Sequence, residues 1–121
     1  MISLTEAESR LAALIWSAAP VGSPELVTLA EQALDWKKST TYTVLKKLCD
    51  KGVFRNEAAT VTVRLTQEEL LARQSRGYVE RSFGGSLPQF ITAFFGGKRL
   101  TPEQAAELRQ LIDDYEGDGH G

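Results

Sequence analysis

One cysteine (Cys49), one histidine (His120) and one methionine leave this chain of 121 residues with little of the chemistry that builds metal centres or disulfide frameworks. A lone thiol forms no intramolecular disulfide and no cysteine-only metal site. No apolar run approaches the roughly 18 residues of a membrane span. Acidic Glu6 and Glu8 stand where a secretory leader is cationic and then apolar, so the cytoplasm is the expected compartment and no membrane insertion is expected. Glycine-rich phosphate loops and nucleophile–base constellations are also lacking. The neighbouring carboxylates Glu68-Glu69 and Asp113-Asp114 diverge on a helix and form no acid–base pair. The expectation is therefore a non-enzyme without metal or cofactor.

What is present is ordinary for a globular protein: 42% apolar and 25% charged residues. The length suits one compact domain, or a small domain plus an assembly element. A net charge of −2 argues against nucleic acid until its distribution is read. Between Trp36 and Arg55 the cations Lys37, Lys38, Lys46, Lys47, Lys51 and Arg55 face one anion, Asp50. From Gln67 onward nine acidic residues outweigh six basic ones. One short segment is built to meet polyanions and the rest is not.

Local signals mark a series of helices. Ser3 with Glu6 forms a capping-box pattern ahead of Leu11, Leu14, Ile15 and Trp16. Pro20 lies in a connector from Ala18 to Gly22. Ser23-Pro24-Glu25 then restarts a helix, with Ser23 as cap and Leu26, Leu29, Ala30 and Ala33 as the inner face. A third helix is expected from Ser39 as cap to Gly52 as stop, with Thr41, Val44, Leu45 and Leu48 inward at i, i+3, i+4, i+7. Val53-Phe54 and Val61 to Arg64 read as a short hairpin around Asn56 to Thr60. Three short helices followed by a hairpin is the order of a winged helix-turn-helix.

Further helices follow. Thr66 with Glu69 opens one that runs to about Phe83, with Leu71, Tyr78, Val79 and Phe83 as its stripe, and Gly84-Gly85 breaks it. Leu87, Phe90, Ile91 and Phe94 repeat the helical spacing before Gly96-Gly97. Thr101-Pro102-Glu103-Gln104 starts the last helix, with Leu108, Leu111, Ile112 and Tyr115. Each of these helices offers a single apolar stripe and needs a partner surface, most economically the same surface of a second copy. Leu71, Tyr78, Leu87, Phe90, Ile91, Phe94, Leu108, Leu111 and Ile112 are the expected dimerisation residues. The fold class is mainly α with a minor β component: a winged helix at 1–65, a helical dimerisation segment at 66–116 and a frayed tail at 117–121 containing the solvated His120.

The third helix carries the functional signal. Lys37, Lys38, Lys46 and Arg55 suit phosphate oxygens, while Ser39, Thr40, Tyr42 and Thr43 suit base edges, including the thymine methyl. Arg55 and Arg64 stand where a wing approaches the flanking backbone. Spacing alone leaves a second reading open, in which the lysines merely solvate an exposed face. Tyr42 either rims the core or projects outward, and helical spacing favours the outward position. Cys49 reads as a small packed hydrophobe. A winged-helix module that docks an acidic protein is the rival to DNA binding.

The runs Ile2-Ser3 through Glu6 to Ile15-Trp16, Trp36 through Leu48, and Lys51-Gly52 resemble the penicillinase-repressor family, which includes repressors of β-lactamase and methicillin-resistance operons. Phe83-Gly84-Gly85-Ser86-Leu87-Pro88 and Glu107 to Ile112 resemble its C-terminal half. The resemblance implies a homodimer on palindromic double-stranded operator DNA, control of β-lactam or related resistance genes, and derepression when a membrane-bound sensor-protease cleaves the C-terminal segment. It matches Thr40, Tyr42 and Thr43 to contacts of the DNA-reading helix. Lys47 replaces a frequent arginine, which favours a phosphate contact over bidentate guanine readout. Ala93-Phe94 stands where the cleaved bond of the best-known relatives joins asparagine to phenylalanine, a departure that weakens the case for proteolytic induction. The paired-cysteine tail of copper-responsive relatives is missing.

Overall fold

The computed structural model describes residues 2–117, so the expected frayed tail beyond Gly117, including His120, lies outside the described residues. The chain runs α1 (Glu6–Ala18), β1 (Val21–Gly22), α2 (Ser23–Leu34), α3 (Lys38–Asp50), β2 (Phe54–Glu57), β3 (Thr60–Val63), α4 (Gln67–Phe83), α5 (Leu87–Phe95) and α6 (Pro102–Tyr115). It divides into two compact units, Met1–Gly85 and Ser86–Gly121, with α4 in the first.

In the first unit α1, α2 and α3 pack around one core with a three-stranded antiparallel sheet of order β1-β3-β2. Leu11, Ile15, Leu26, Leu45, Leu48, Val53, Phe54 and Val61 are buried at its centre. Trp16 closes one edge: its ring stands 5.4 Å from that of Phe54, and its indole N–H donates to the Leu65 carbonyl at 3.0 Å. Three helices followed by a hairpin, with a short extra strand, make a winged helix, and further helices follow it.

The first three helices start at positions different from those the sequence suggested. Thr5 caps α1, not Ser3, and its capping-box partner is Glu8, not Glu6. Both spacings satisfy the pattern, but the observed one turns Glu8 into the interior beside Leu11, Ala12 and Ile15, where a distant lysine meets it. Gly22 caps α2, and Ser23 is a buried first-turn residue. The Ser23 N–H donates to the Ala59 carbonyl at 2.8 Å, so the hairpin supplies what a side-chain cap would have supplied. The connector before α2 contains β1, too short for an alternation signal, with Val21 paired to Val61. Ala33 is exposed, and Leu34 packs against the core in its place. In α4 the buried residue is Leu70, one position before the expected stripe, while Leu71 and Tyr78 are exposed.

In the second unit, Ser86 caps α5 and Gly96 ends it in the left-handed region. A Thr101–Gln104 capping box opens α6 as expected. Neither helix has a buried residue.

The hairpin turn is tighter than the sequence suggested. Ala58 and Ala59 alone connect β2 to β3, with φ of 50° and 59°. Two consecutive left-handed residues make a type I′ turn, where Asn-Gly is preferred and a Cβ is strained. The double change Ala58→Asn, Ala59→Gly is expected to stabilise the protein by about 1 kcal/mol. Urea unfolding checks this as a raised midpoint with an unchanged slope.

Candidate nucleic-acid interface

Helix α3 is held by its inward seam. Thr41, Val44, Leu45 and Leu48 are buried, as their spacing predicts, and this turns Ser39, Thr40, Thr43, Lys46 and Lys47 to the exposed side. Asp35 ends α2 in the left-handed conformation, so only Asp35, Trp36 and Lys37 separate α2 from α3. Lys37, not Ser39, occupies the N-cap, and no side chain caps the helix. Ser39 lies within the first turn and is exposed. The first-turn N–H groups therefore stand beside Lys37 and Lys38 at the positive end of the helix dipole, an arrangement that favours an anion.

The local charge excess is smaller in three dimensions than along the chain. Lys46 pairs with Asp50 one turn on at 3.1 Å, and Arg55 pairs with Glu57 at 3.4 Å. Lys51 belongs to no outward cationic face: its ammonium meets the buried Glu8 carboxylate and the Ser3 carbonyl oxygen. Lys37, Lys38, Lys47 and Arg64 have no carboxylate within salt-bridge distance among the described residues. These four and the hydroxyls of Ser39, Thr40 and Thr43 constitute the open polar surface. The Lys38 ammonium lies 6.0 Å from the centre of the Tyr42 ring. Tyr42 is half-buried and packs against the core, so it reaches the surface from the rim of the seam.

The hairpin adds little positive potential. Strand alternation puts Arg55 and Glu57 on one face of β2, across from Thr62 and Thr60. Arg64 follows β3 at the hairpin base, where its N–H donates to the Val53 carbonyl at 3.0 Å, far along the chain from the Ala58-Ala59 tip. The Arg55 and Arg64 backbone positions thus lie along the body of the wing and not at its Ala58-Ala59 tip.

Sequence reasoning passed over Glu8 as a partner for the basic stretch. The available signal was its place at i, i+3, i+4, i+7 with Leu11, Ala12 and Ile15, which marks an inward carboxylate in need of a cation. Burial alone would raise its pKa, but the Lys51 ammonium and the Thr5 N–H outweigh burial and hold the carboxyl below its ordinary value. Cys49 is half-buried against the core, and burial pushes its thiol up, away from the reactive thiolate.

Comparison with known proteins finds one family and two relatives. The family described as Penicillinase repressor matches residues 4–114. The penicillinase repressor of Bacillus licheniformis is 20% identical over 116 residues, covering 93% of this chain and 91% of that protein. An uncharacterised 16.5 kDa protein from the ptsI 3′ region of Latilactobacillus sakei is 24% identical over 113 residues, covering 90% of this chain and 77% of its own length.

The depressed Glu8 value has a consequence for stability. A carboxyl with a lowered folded-state pKa contributes stability that is complete above its ordinary value of 4.5 and is lost as pH falls through the depressed one. Thermal melts taken from neutral pH into that acid range should fall more steeply for the parent than for Glu8→Gln. Parallel curves would mean that the Glu8 carboxyl has no such linkage.

Proposed function

The chain belongs to the penicillinase repressor family, and from that premise we propose that it is a homodimeric transcriptional repressor that reads a palindromic operator with α3. The observation that carries the reading is the outward face of α3. Lys37, Lys38 and Lys47 stand clear of carboxylates, beside exposed Ser39, Thr40 and Thr43 and an uncapped helix start. Lys37, Lys38, Lys46 and Lys47 approach phosphates. Arg55 and Arg64 approach the flanking backbone. Thr40, Thr43, Ser39 and the rim-mounted Tyr42 meet base edges through hydroxyl and methyl contacts. No arginine, asparagine or glutamine lies on this helix, so bidentate readout of guanine or adenine is not among its means.

The second unit supports the dimer. Helices of nine and 14 residues that bury nothing are marginal in water without packing. Their apolar side chains need a cover: Phe94 is 72% exposed, Ile112 62%, Leu87 58% and Leu111 51%. Phe90, Ile91 and Leu108 are half-buried on the same helices, and Leu71 and Tyr78 are exposed on α4. A second copy can cover the apolar faces of α5 and α6 by two-fold symmetry, and the exposed Leu71 and Tyr78 of α4 are further candidates for burial in the dimer. Two-fold symmetry of the DNA-binding units predicts half-sites roughly 10 bp or a multiple apart. Cleavage at Ala93-Phe94 by a membrane-bound sensor-protease would have to unwind the last turn of α5, which contains that bond.

Footprinting on the chain's own promoter, followed by affinity measurement across salt, tests the reading. A symmetric protected site is expected, with log affinity falling against log salt at about −0.9 per phosphate neutralised. The double change Lys37→Ala, Lys38→Ala should weaken operator and unrelated duplex alike and flatten that dependence. No protection, or no dependence on salt, would favour a protein-docking module instead. Phe94→Glu with Ile112→Glu should convert the dimer to monomer in sedimentation and remove operator binding, while the fold of the first unit persists.

A further inference from the structure

We propose that Lys51, through its ion pair with Glu8 and its hydrogen bond to the Ser3 carbonyl oxygen, positions α3 for DNA by locking its C-terminal end to the first turn of α1 and the arm before it, residues 2–5, without itself touching nucleic acid. The inference rests on the DNA-binding reading above. Lys51 is the C-cap residue of α3. Its ammonium reaches back over the start of α1, to the Glu8 carboxylate and, at 2.7 Å, to the Ser3 carbonyl oxygen. The Glu8 oxygen that meets Lys51 also accepts the Thr5 N–H at 2.9 Å, so the cap of α1 and the tether of α3 share one atom. The arm continues to α4, where the Gln74 amide lies 3.5 Å from the Ile2 carbonyl oxygen.

This arrangement supplies what the apolar seam does not. Burial of Thr41, Val44, Leu45 and Leu48 fixes which face of α3 is inward, but apolar contact is non-directional and tolerates small sliding and tilting. A carboxylate only 4% exposed is satisfied at one geometry, because displacement leaves a charge out of water without its partner. Base-edge contacts require placement to within about half an ångström, which the tether supplies at the far end of the helix from Lys37 and Lys38. Lys51 is thus a positioning residue, distinct from the cations that face outward.

The test compares Lys51→Met, Glu8→Gln and the double variant for affinity to operator and to an unrelated duplex across salt, at a temperature where circular dichroism shows each folded. The double variant leaves no unpaired buried charge and keeps an amide oxygen for the Thr5 N–H, so it carries the test if Lys51→Met does not fold. Loss of about tenfold in operator affinity, with unrelated duplex and salt dependence unchanged, is expected. The double variant should be no worse than the poorer single change. The proposal is overturned if Lys51→Met weakens both DNAs equally and flattens the salt dependence by about 0.9, the signature of a phosphate contact. It is also overturned if the folded double variant keeps the parent's preference for operator. A parent that does not bind operator would remove the functional reading, and this inference with it.

Discussion

Everything that α3 presents to solvent follows from the four residues it turns inward. Thr41, Val44, Leu45 and Leu48 enter a core built by Leu11 and Ile15 of α1, Leu26 of α2, and Phe54 and Val61 of the hairpin strands. With 3.6 residues per turn, burying that set leaves Ser39, Thr40, Thr43, Lys46 and Lys47 no other direction than outward. The Thr41 hydroxyl is made compatible with burial by donating to the Lys37 carbonyl oxygen at 3.3 Å, one turn back. The outward face of α3 is therefore a by-product of packing, and changes that disturb the seam should disturb that face as well.

The electrostatic character of the surface is decided by folding and not by composition. Six cations between Trp36 and Arg55 suggest a uniformly basic element. The fold sorts them into three kinds. Lys51 turns onto the buried Glu8, Lys46 and Arg55 sit beside carboxylates on their own elements, and Lys37, Lys38 and Lys47 stand open. Lys37 and Lys38 stand at the N-terminus of α3, where the helix dipole adds to their field, and Lys47 stands apart in the last turn. The wing, with Glu57 next to its tip, adds shape more than charge.

Much of this was legible in the sequence because its elements are short and clearly punctuated. The α3 seam, the capping boxes of α4 and α6, and the glycine breaks after α4 and α5 are local signals, and the structure contains them as read. What the sequence hid was long-range. The choice between Ser3 and Thr5 as cap depends on Lys51, 43 residues from Glu8. The start of α2 depends on the Ala59 carbonyl, and the strand at Val21 exists only because β3 pairs with it. Tyr42 was placed on the outer face by its helical angle, yet its ring leans onto the core rim beside Lys38, which is a matter of side-chain length and neighbours. In the second unit the apolar stripes were legible, and the structure leaves both helices without a buried residue.

The central claim is that DNA meets the outward face of α3. Titrating the labelled protein with promoter DNA and following backbone amide resonances tests that claim residue by residue. The account predicts the largest changes from Lys37 to Lys47, smaller ones at Arg55 and Arg64, and near silence across α6. Changes concentrated in the C-terminal helices, with Ser39, Thr40 and Thr43 undisturbed, would contradict it.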